Sequence, residues 1–227
     1  MIFSKRGNRY VSIVTLSILT MMLAACGNDG VWANARDVAA SQIFGRGQNH
    51  PHTREQINGI PYATILATIE NNVPSLMVLG YVDGDKLQWI ASDSASIVTQ
   101  YGRVVRTVGL PNDIQFQGSS QLDILSQNPH HIDNVEKYNL SLEYIDGAVK
   151  NVGLACELMF DGEERIEILD IFHDTHRLVE VCESTNDKKI KNIFWVDQTD
   201  GFIWRSQQRL LNGNYDIEIN VLKRYYP

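Results

Sequence analysis

Residues 215–221 alternate without a break: Tyr215, Ile217, Ile219 and Val221 are apolar, while Asp216, Glu218 and Asn220 between them are polar. A period of two places the two sets on opposite faces of an extended strand, one buried and one wet. Similar runs recur from Pro61 onward. Tyr62 to Ile69 puts Ala63, Ile65, Ala67 and Ile69 on one face and Thr64 and Thr68 on the other. Leu76 to Val82 is apolar on both faces and reads as a central strand. Further strands are predicted over Leu87–Ala91, Ser96–Tyr101, Arg103–Val108, Ile114 with Phe116, Lys137–Ile145, Val149–Phe160, Arg165–Phe172, Arg177–Glu183, Ile190–Val196 and Phe202–Leu210. Short turn signals separate many of them: Asp83-Gly84-Asp85, Tyr101-Gly102, Asp146-Gly147, Asp161-Gly162 and Asp200-Gly201. The pattern predicts an all-β, mainly antiparallel meander of about eleven or twelve strands, either a barrel or a sandwich. One short N-terminal helix is predicted over Trp32–Phe44, where Trp32, Ala35, Val38, Ala39 and Ile43 recur at helical spacing before Gly45-Arg46-Gly47. Residues 45–59 read as loop. Residues 117–135 are irregular, with one or two helical turns around Leu122, Ile124 and Leu125.

The N-terminus is of a different kind. Lys5, Arg6 and Arg9 precede an apolar run from Val11 to Leu23, and Leu23-Ala24-Ala25-Cys26 follows. That run is too short for a spanning helix, which needs about 20 residues. A basic start, a short apolar centre and a small-residue cleavage site describe a secretory signal. The cysteine directly after Ala-Ala gives it the pattern of a bacterial lipoprotein signal. The expected organisation is a cleaved signal peptide over 1–25, a lipidated tether over 26–31 beginning at Cys26, and a single β-rich periplasmic domain over 32–227. Cys26 would carry the acyl chains, palmitate among them, because stable anchoring takes more than one chain.

Loss of the leader removes three basic side chains and no acidic ones, so the formal net charge moves from −7 to −10. Such a surface is unsuited to nucleic acid, whose phosphates require Lys and Arg. Glu167, Glu180, Asp216 and Glu218 are out of place on a lipid-facing barrel wall. They read as water-facing positions of a tethered periplasmic domain. Cys156 and Cys182 remain in the mature part. The predicted strand Arg165–Phe172 lies between theirs, which separates the two by roughly 9.5 Å and argues against a disulfide, whose Cα reach ends near about 7 Å.

Few constellations carry chemistry. His173, Asp174 and His176 offer ligand types close together, but a zinc site needs three or four converging groups, and a solvated turn accounts for them. His50, His52, His130 and His131 are loop histidines. Asp161, Glu163, Glu164, Glu167 and Asp170 form an acidic cluster that would serve glycoside hydrolysis or calcium only if paired at defined spacing; a wet hairpin accounts for it. No nucleophile elbow or phosphate loop occurs. Trp89, Trp195, Trp204, Tyr62, Tyr81 and Tyr101 are candidates for sugar stacking, weighed against packing in a core or interface. Arg103 and Arg106 fall on opposite faces of a strand and do not form one clamp. No catalytic residue, cofactor or metal is therefore expected.

The order of several segments carries a resemblance: Ile60-Pro61-Tyr62-Ala63-Thr64; Val78-Leu79-Gly80-Tyr81 with Trp89; Gly102-Arg103-Val104-Val105-Arg106-Thr107-Val108-Gly109-Leu110; Phe194-Trp195-Val196-Asp197 with Thr199-Asp200-Gly201; and Ser206-Gln207-Gln208. Together with the lipoprotein signal, they resemble the YjbF, or group 4 capsule polysaccharide lipoprotein, family over roughly residues 32–222. The resemblance implies a barrel-like β fold and a setting in capsule or exopolysaccharide export. Gly27 after Cys26 implies the outer membrane by the sorting logic of such lipoproteins. The expected role is a non-enzymatic docking module, with other proteins of a polysaccharide export system, and glycan, as partners. A glycan- or lipid-binding carrier and a glycan-modifying enzyme are the alternatives. An aromatic-lined cavity would favour the carrier, and carboxylates converging in a cleft would favour the enzyme.

Overall fold

The computed structural model describes residues 52–70, 74–110, 113–118, 124–126, 129, 132, 135–146, 148–184, 188–210 and 215–227. Cys26, the helix expected over Trp32–Phe44, His50, His130 and His131 lie outside the described residues. The first described element is a short helix, α1 (Arg54–Gly59), in the stretch expected to be loop. Thr53 caps it: its hydroxyl accepts from the Gln56 amide, and the Gln56 side chain accepts from the Thr53 amide. This reciprocal box satisfies donors that the first turn leaves bare.

Twelve strands follow in one antiparallel sheet. They are β1 (Thr64–Ile69), β2 (Ser75–Asp83), β3 (Lys86–Ala91), β4 (Ser96–Gln100), β5 (Arg103–Val108), β6 (Ile114–Gly118), β7 (Glu136–Asp146), β8 (Ala148–Ile168), β9 (Ile171–Ser184), β10 (Lys189–Asp197), β11 (Ile203–Leu210) and β12 (Tyr215–Lys223). A short 3-10 turn, Ile124–Ser126, lies between β6 and β7. Neighbours in the sheet are neighbours in sequence, apart from the pairing of β1 with β12. The sheet thus curls into a nearly closed barrel, which decides between the two architectures the sequence left open. At the seam, β5 and β6 carry no backbone ladder, and side chains close it. Asp113 accepts from the Thr107 hydroxyl at 2.9 Å and from the amides of Gly109 at 2.8 Å and Leu110 at 3.0 Å, and the Ile114 amide donates to the Thr107 oxygen at 2.9 Å.

The alternation of each strand fills the barrel. Ile65, Ala67, Met77, Leu79, Trp89, Ile97, Leu140, Leu142, Leu154, Ile217 and Ile219 belong to one buried interior cluster. Leu158, Leu178, Phe194, Val196 and Ile203, with Leu125 from the 3-10 turn and Ile132, make a second. A third cluster lies outside the wall. There the odd-out positions Leu76, Val78, Trp195 and Leu222 are covered by Ile57 and Ile60 from the helix region and by Ile166 and Ile168 from the far end of β8. Arg54 fastens this layer by donating to the carbonyls of Ile168 at 2.6 Å, Leu169 at 3.1 Å and Leu222 at 2.6 Å.

Three expectations are corrected here. Asp161-Gly162 does not reverse the chain; it is a bulge inside β8, marked by the register shift between Phe160 and Glu163 and by φ +112° at Gly162. The bend lets the strand leave the barrel wall and reach the outer layer. The reversal falls at Leu169 and Asp170, both with positive φ (46° and 64°), as a two-residue hairpin turn demands. His173-Asp174-Thr175-His176 is consequently strand and not a turn. With the supposed middle strand absorbed into β8, Cys156 and Cys182 stand directly opposite each other and form a disulfide, with Cα atoms 4.0 Å apart.

Candidate functional site

Between the two interior clusters the barrel holds a polar layer. Arg103 and Glu180 are both fully buried and paired, with guanidinium–carboxylate contacts of 2.7 and 3.0 Å. Asn192 donates to the same carboxylate at 2.5 Å, and Tyr138 closes on its other oxygen. Burial by itself would raise the Glu180 carboxyl, but the Arg103 charge and these hydrogen bonds hold it below the usual carboxylate value. Burial, followed by the neighbouring Glu180 charge, pushes the Tyr138 hydroxyl well above its ordinary value. Gln208 adds to the layer from across the barrel. It accepts from the Val104 amide and donates to the Gly102 carbonyl, each at 2.9 Å, and so serves backbone groups at the start of β5. Each charge here is matched by another protein group. The layer holds β5 against β9 and β11.

The concave site is at one rim. A meander sends every second connection to the same end, so the β2–β3, β4–β5 and β10–β11 turns meet there, along with the 3-10 turn and the C-terminal tail. Together they surround a cavity of about 400 Å³. Its walls carry rings (Trp89, Tyr101, Phe202 and Tyr225) and three charged groups (Asp85, Asp200 and Arg224). Trp89 is almost fully buried and donates to the Thr99 hydroxyl at 2.8 Å. Arg224 pairs with Asp200 and lies over the Phe202 ring, 4.1 Å from its centre. The Phe202 amide donates to Asp200 at 3.0 Å. Asp85 accepts from the Gln100 amide at 2.9 Å. Partial burial opposes its ionisation, but hydrogen bonds from Tyr101 and Gln100 prevail and lower its pKa. Two hollows of about 490 Å³ each lie along β7–β9; among the described residues, Tyr138 is the one ring in their walls, beside aliphatic and small side chains and exposed pairs such as Lys137–Glu157.

Of the six aromatic candidates, the structure brings only Trp89 and Tyr101 to the mouth. Trp195 is in the outer layer, donating to Glu164 at 2.9 Å. Trp204 donates to Asp197 at 2.8 Å and stacks on His173 with ring centres 3.9 Å apart. Tyr62 packs against the outer layer, and Tyr81 is exposed on β2. The acidic cluster disperses along β8: Asp161 pairs with Arg177, Glu163 faces His176 at 3.9 Å, Glu167 is exposed, and Asp170 sits in the turn. Asp174 faces Arg165 at 3.6 Å. His52 is partly buried, which lowers its pKa, as it does for His173. Among the described residues, no group of three or more His, Cys, Asp or Glu is placed to hold a metal ion. Arg103 is buried and Arg106 exposed. Glu180, read as water-facing, points into the barrel with Cys182 and Leu178. Phe202, Tyr225 and Arg224 were missed; the sequence did carry a signal, because Asp200-Gly201 falls at the same end of an up-and-down meander as Tyr101-Gly102.

These features define a small, nearly closed antiparallel barrel with a salt-bridged interior and an aromatic mouth. The family model described as group 4 capsule polysaccharide lipoprotein gfcB, YjbF, matches residues 36–222, and the chain belongs to that family. It is 26% identical over 215 residues to the uncharacterized lipoprotein GfcB of Escherichia coli K12, covering 92% of this chain and 96% of that one. It is 21% identical over 173 residues to the lipoprotein YjbF of the same organism, covering 75% and 80%. The crystal structure of the hypothetical lipoprotein YmcC from Escherichia coli K12 superposes with a TM-score of 0.75 at 25% identity, over 87% of this chain and 97% of that one.

Proposed function

We propose that this capsule-family lipoprotein is an outer-membrane-anchored, periplasm-facing module that assists export or assembly of a capsule or exopolysaccharide without catalysing a reaction itself. Residues 1–25 are removed as a signal peptide, and Cys26 takes the lipid, palmitate included. The barrel is then a docking module for other proteins of the export system. The observation that carries docking is an apolar tip at the end of the barrel away from the mouth. Ile145 and Val149 face each other across β7 and β8 and are 45% and 58% exposed, with Phe116 on the neighbouring strand β6 45% exposed. Adjoining exposed apolar side chains of this kind mark interaction sites.

The test has three arms. Cys26→Ala should move the protein from the membrane fraction to the soluble periplasm; retention at the outer membrane would remove lipidation as the anchor. Deletion of the protein should lower the amount of surface polysaccharide and leave its sugar composition unchanged, whereas an altered composition would point to an enzyme. Val149→Asp should reduce co-purification of crosslinked partners from membranes. A second reading, a glycan-binding carrier, is favoured by the aromatic cavity at the opposite end.

A further inference from the structure

We infer that the mouth cavity is a binding site for an uncharged, hydroxyl-rich saccharide segment. This inference rests on the surface-polysaccharide reading above and gives that reading a contact point. Three properties of the cavity argue for it. The first is size: about 400 Å³ falls in the range of roughly 300–1,000 Å³ that holds small ligands, and suits a mono- or disaccharide-sized stretch of a longer chain. The open rim lets such a chain continue outward on either side.

The second is the pairing of surfaces. Tyr101 is 37% exposed, and Tyr225 is partly so. A pyranose ring has an apolar C–H face of slight positive potential, which complements the negative face of an aromatic ring. Its edge carries hydroxyls that both donate and accept. The Asp85 and Asp200 carboxylates are acceptors, and the Arg224 guanidinium is a donor with a fixed fork. All three are already held by protein partners: Asp85 by Gln100, Asp200 by Arg224 and the Phe202 amide, Arg224 by Asp200 and the Phe202 ring. Polar groups fixed beforehand lose little freedom on binding.

The third is charge. The mouth holds two carboxylates against one guanidinium, so it carries a net negative charge and disfavours a uronate- or phosphate-bearing chain. An acyl chain fits no better, since it would bury these charged groups without offering them a hydrogen bond. A neutral glycan satisfies both the rings and the charges.

The test uses the full-length protein in detergent micelles. Calorimetric titration and saturation-transfer NMR are run with neutral hexose oligosaccharides (cellohexaose, maltohexaose and laminarihexaose), with trigalacturonate, and with fragments released by mild acid from the surface polysaccharide of the producing cells. Neutral oligosaccharide should bind. Tyr225→Ala should weaken it at least about tenfold, Tyr225→Phe should restore it to within about threefold, and Arg224→Gln should weaken it while the melting temperature stays near that of the parent. No binding of any probe overturns the inference. So does binding that Tyr225→Ala and Arg224→Gln leave unchanged, or trigalacturonate binding as tightly as the neutral probes. If deletion lowers surface polysaccharide while no probe binds, the export reading stands and the mouth inference alone fails. Binding together with unchanged polysaccharide after deletion has the reverse meaning.

Discussion

At the scale of single residues, the Arg103–Glu180 pair governs how the interior responds to change. Two fully buried opposite charges are stable together only because Tyr138 and Asn192 complete their hydrogen bonding. Arg103→Met leaves a carboxylate unpaired in the core and should cost about 3–5 kcal/mol in chemical denaturation, while adding Glu180→Leu should recover part of the loss. The same pair fixes an acid response. The folded-state pKa of Glu180 is depressed from its ordinary 4.5, so its contribution is fully present above about pH 4.5 and is lost as pH falls through the lower folded value. Urea midpoints should therefore hold from neutral pH down to that point and then drop. Glu180→Gln should start lower at pH 7 and show a shallower acid limb. Gly102 is the other sensitive residue. Its φ is +75°, and a Cβ there would stand 2.8 Å from Ile203 Cδ1. Gly102→Ala should cost about 1–3 kcal/mol. Gly84→Ala shares the positive φ but meets nothing within 4 Å, and should cost less.

At the scale of elements, the β8–β9 hairpin departs furthest from its sequence pattern. The β2–β3, β4–β5, β7–β8 and β10–β11 hairpins were legible because alternation and an Asp-Gly or Tyr-Gly turn agreed. In β8 the two signals conflicted. Gly162 supplies a positive φ, but a bulge uses that freedom as readily as a turn does. The true reversal uses Leu169 and Asp170, and leucine in a left-handed conformation leaves no mark that a sequence pattern can expose. The disulfide was lost from view for the same reason, because one misplaced turn inserted a strand between Cys156 and Cys182. α1 was hidden by its length, although Thr53 and Gln56 carried the capping signal. The mouth was half legible. Tyr101 and Trp89 were among the candidates, but the tail residues Arg224 and Tyr225 have no motif and enter only through the closure of β12 onto β1. The disulfide closes a loop between residues 26 apart, so Cys156→Ser with Cys182→Ser should cost about 3 kcal/mol in thermal or urea unfolding.

At the scale of the whole molecule, the barrel is finished by its first and last strands, with Thr64 opposite Lys223 and Ile69 opposite Ile217. Every other ladder joins strands close in sequence, whereas this one spans most of the domain. Contacts between distant parts of a chain form slowly, because the intervening loop must close first. β1 therefore waits, with one edge bare, until the final nine residues of sheet have been synthesised and delivered. For the secretory route proposed above, this is an advantage of timing. A sheet whose joining ladder needs its last strand keeps the outer edge of β1 open throughout passage across a membrane. It completes its fold only when the last strand has arrived on the other side.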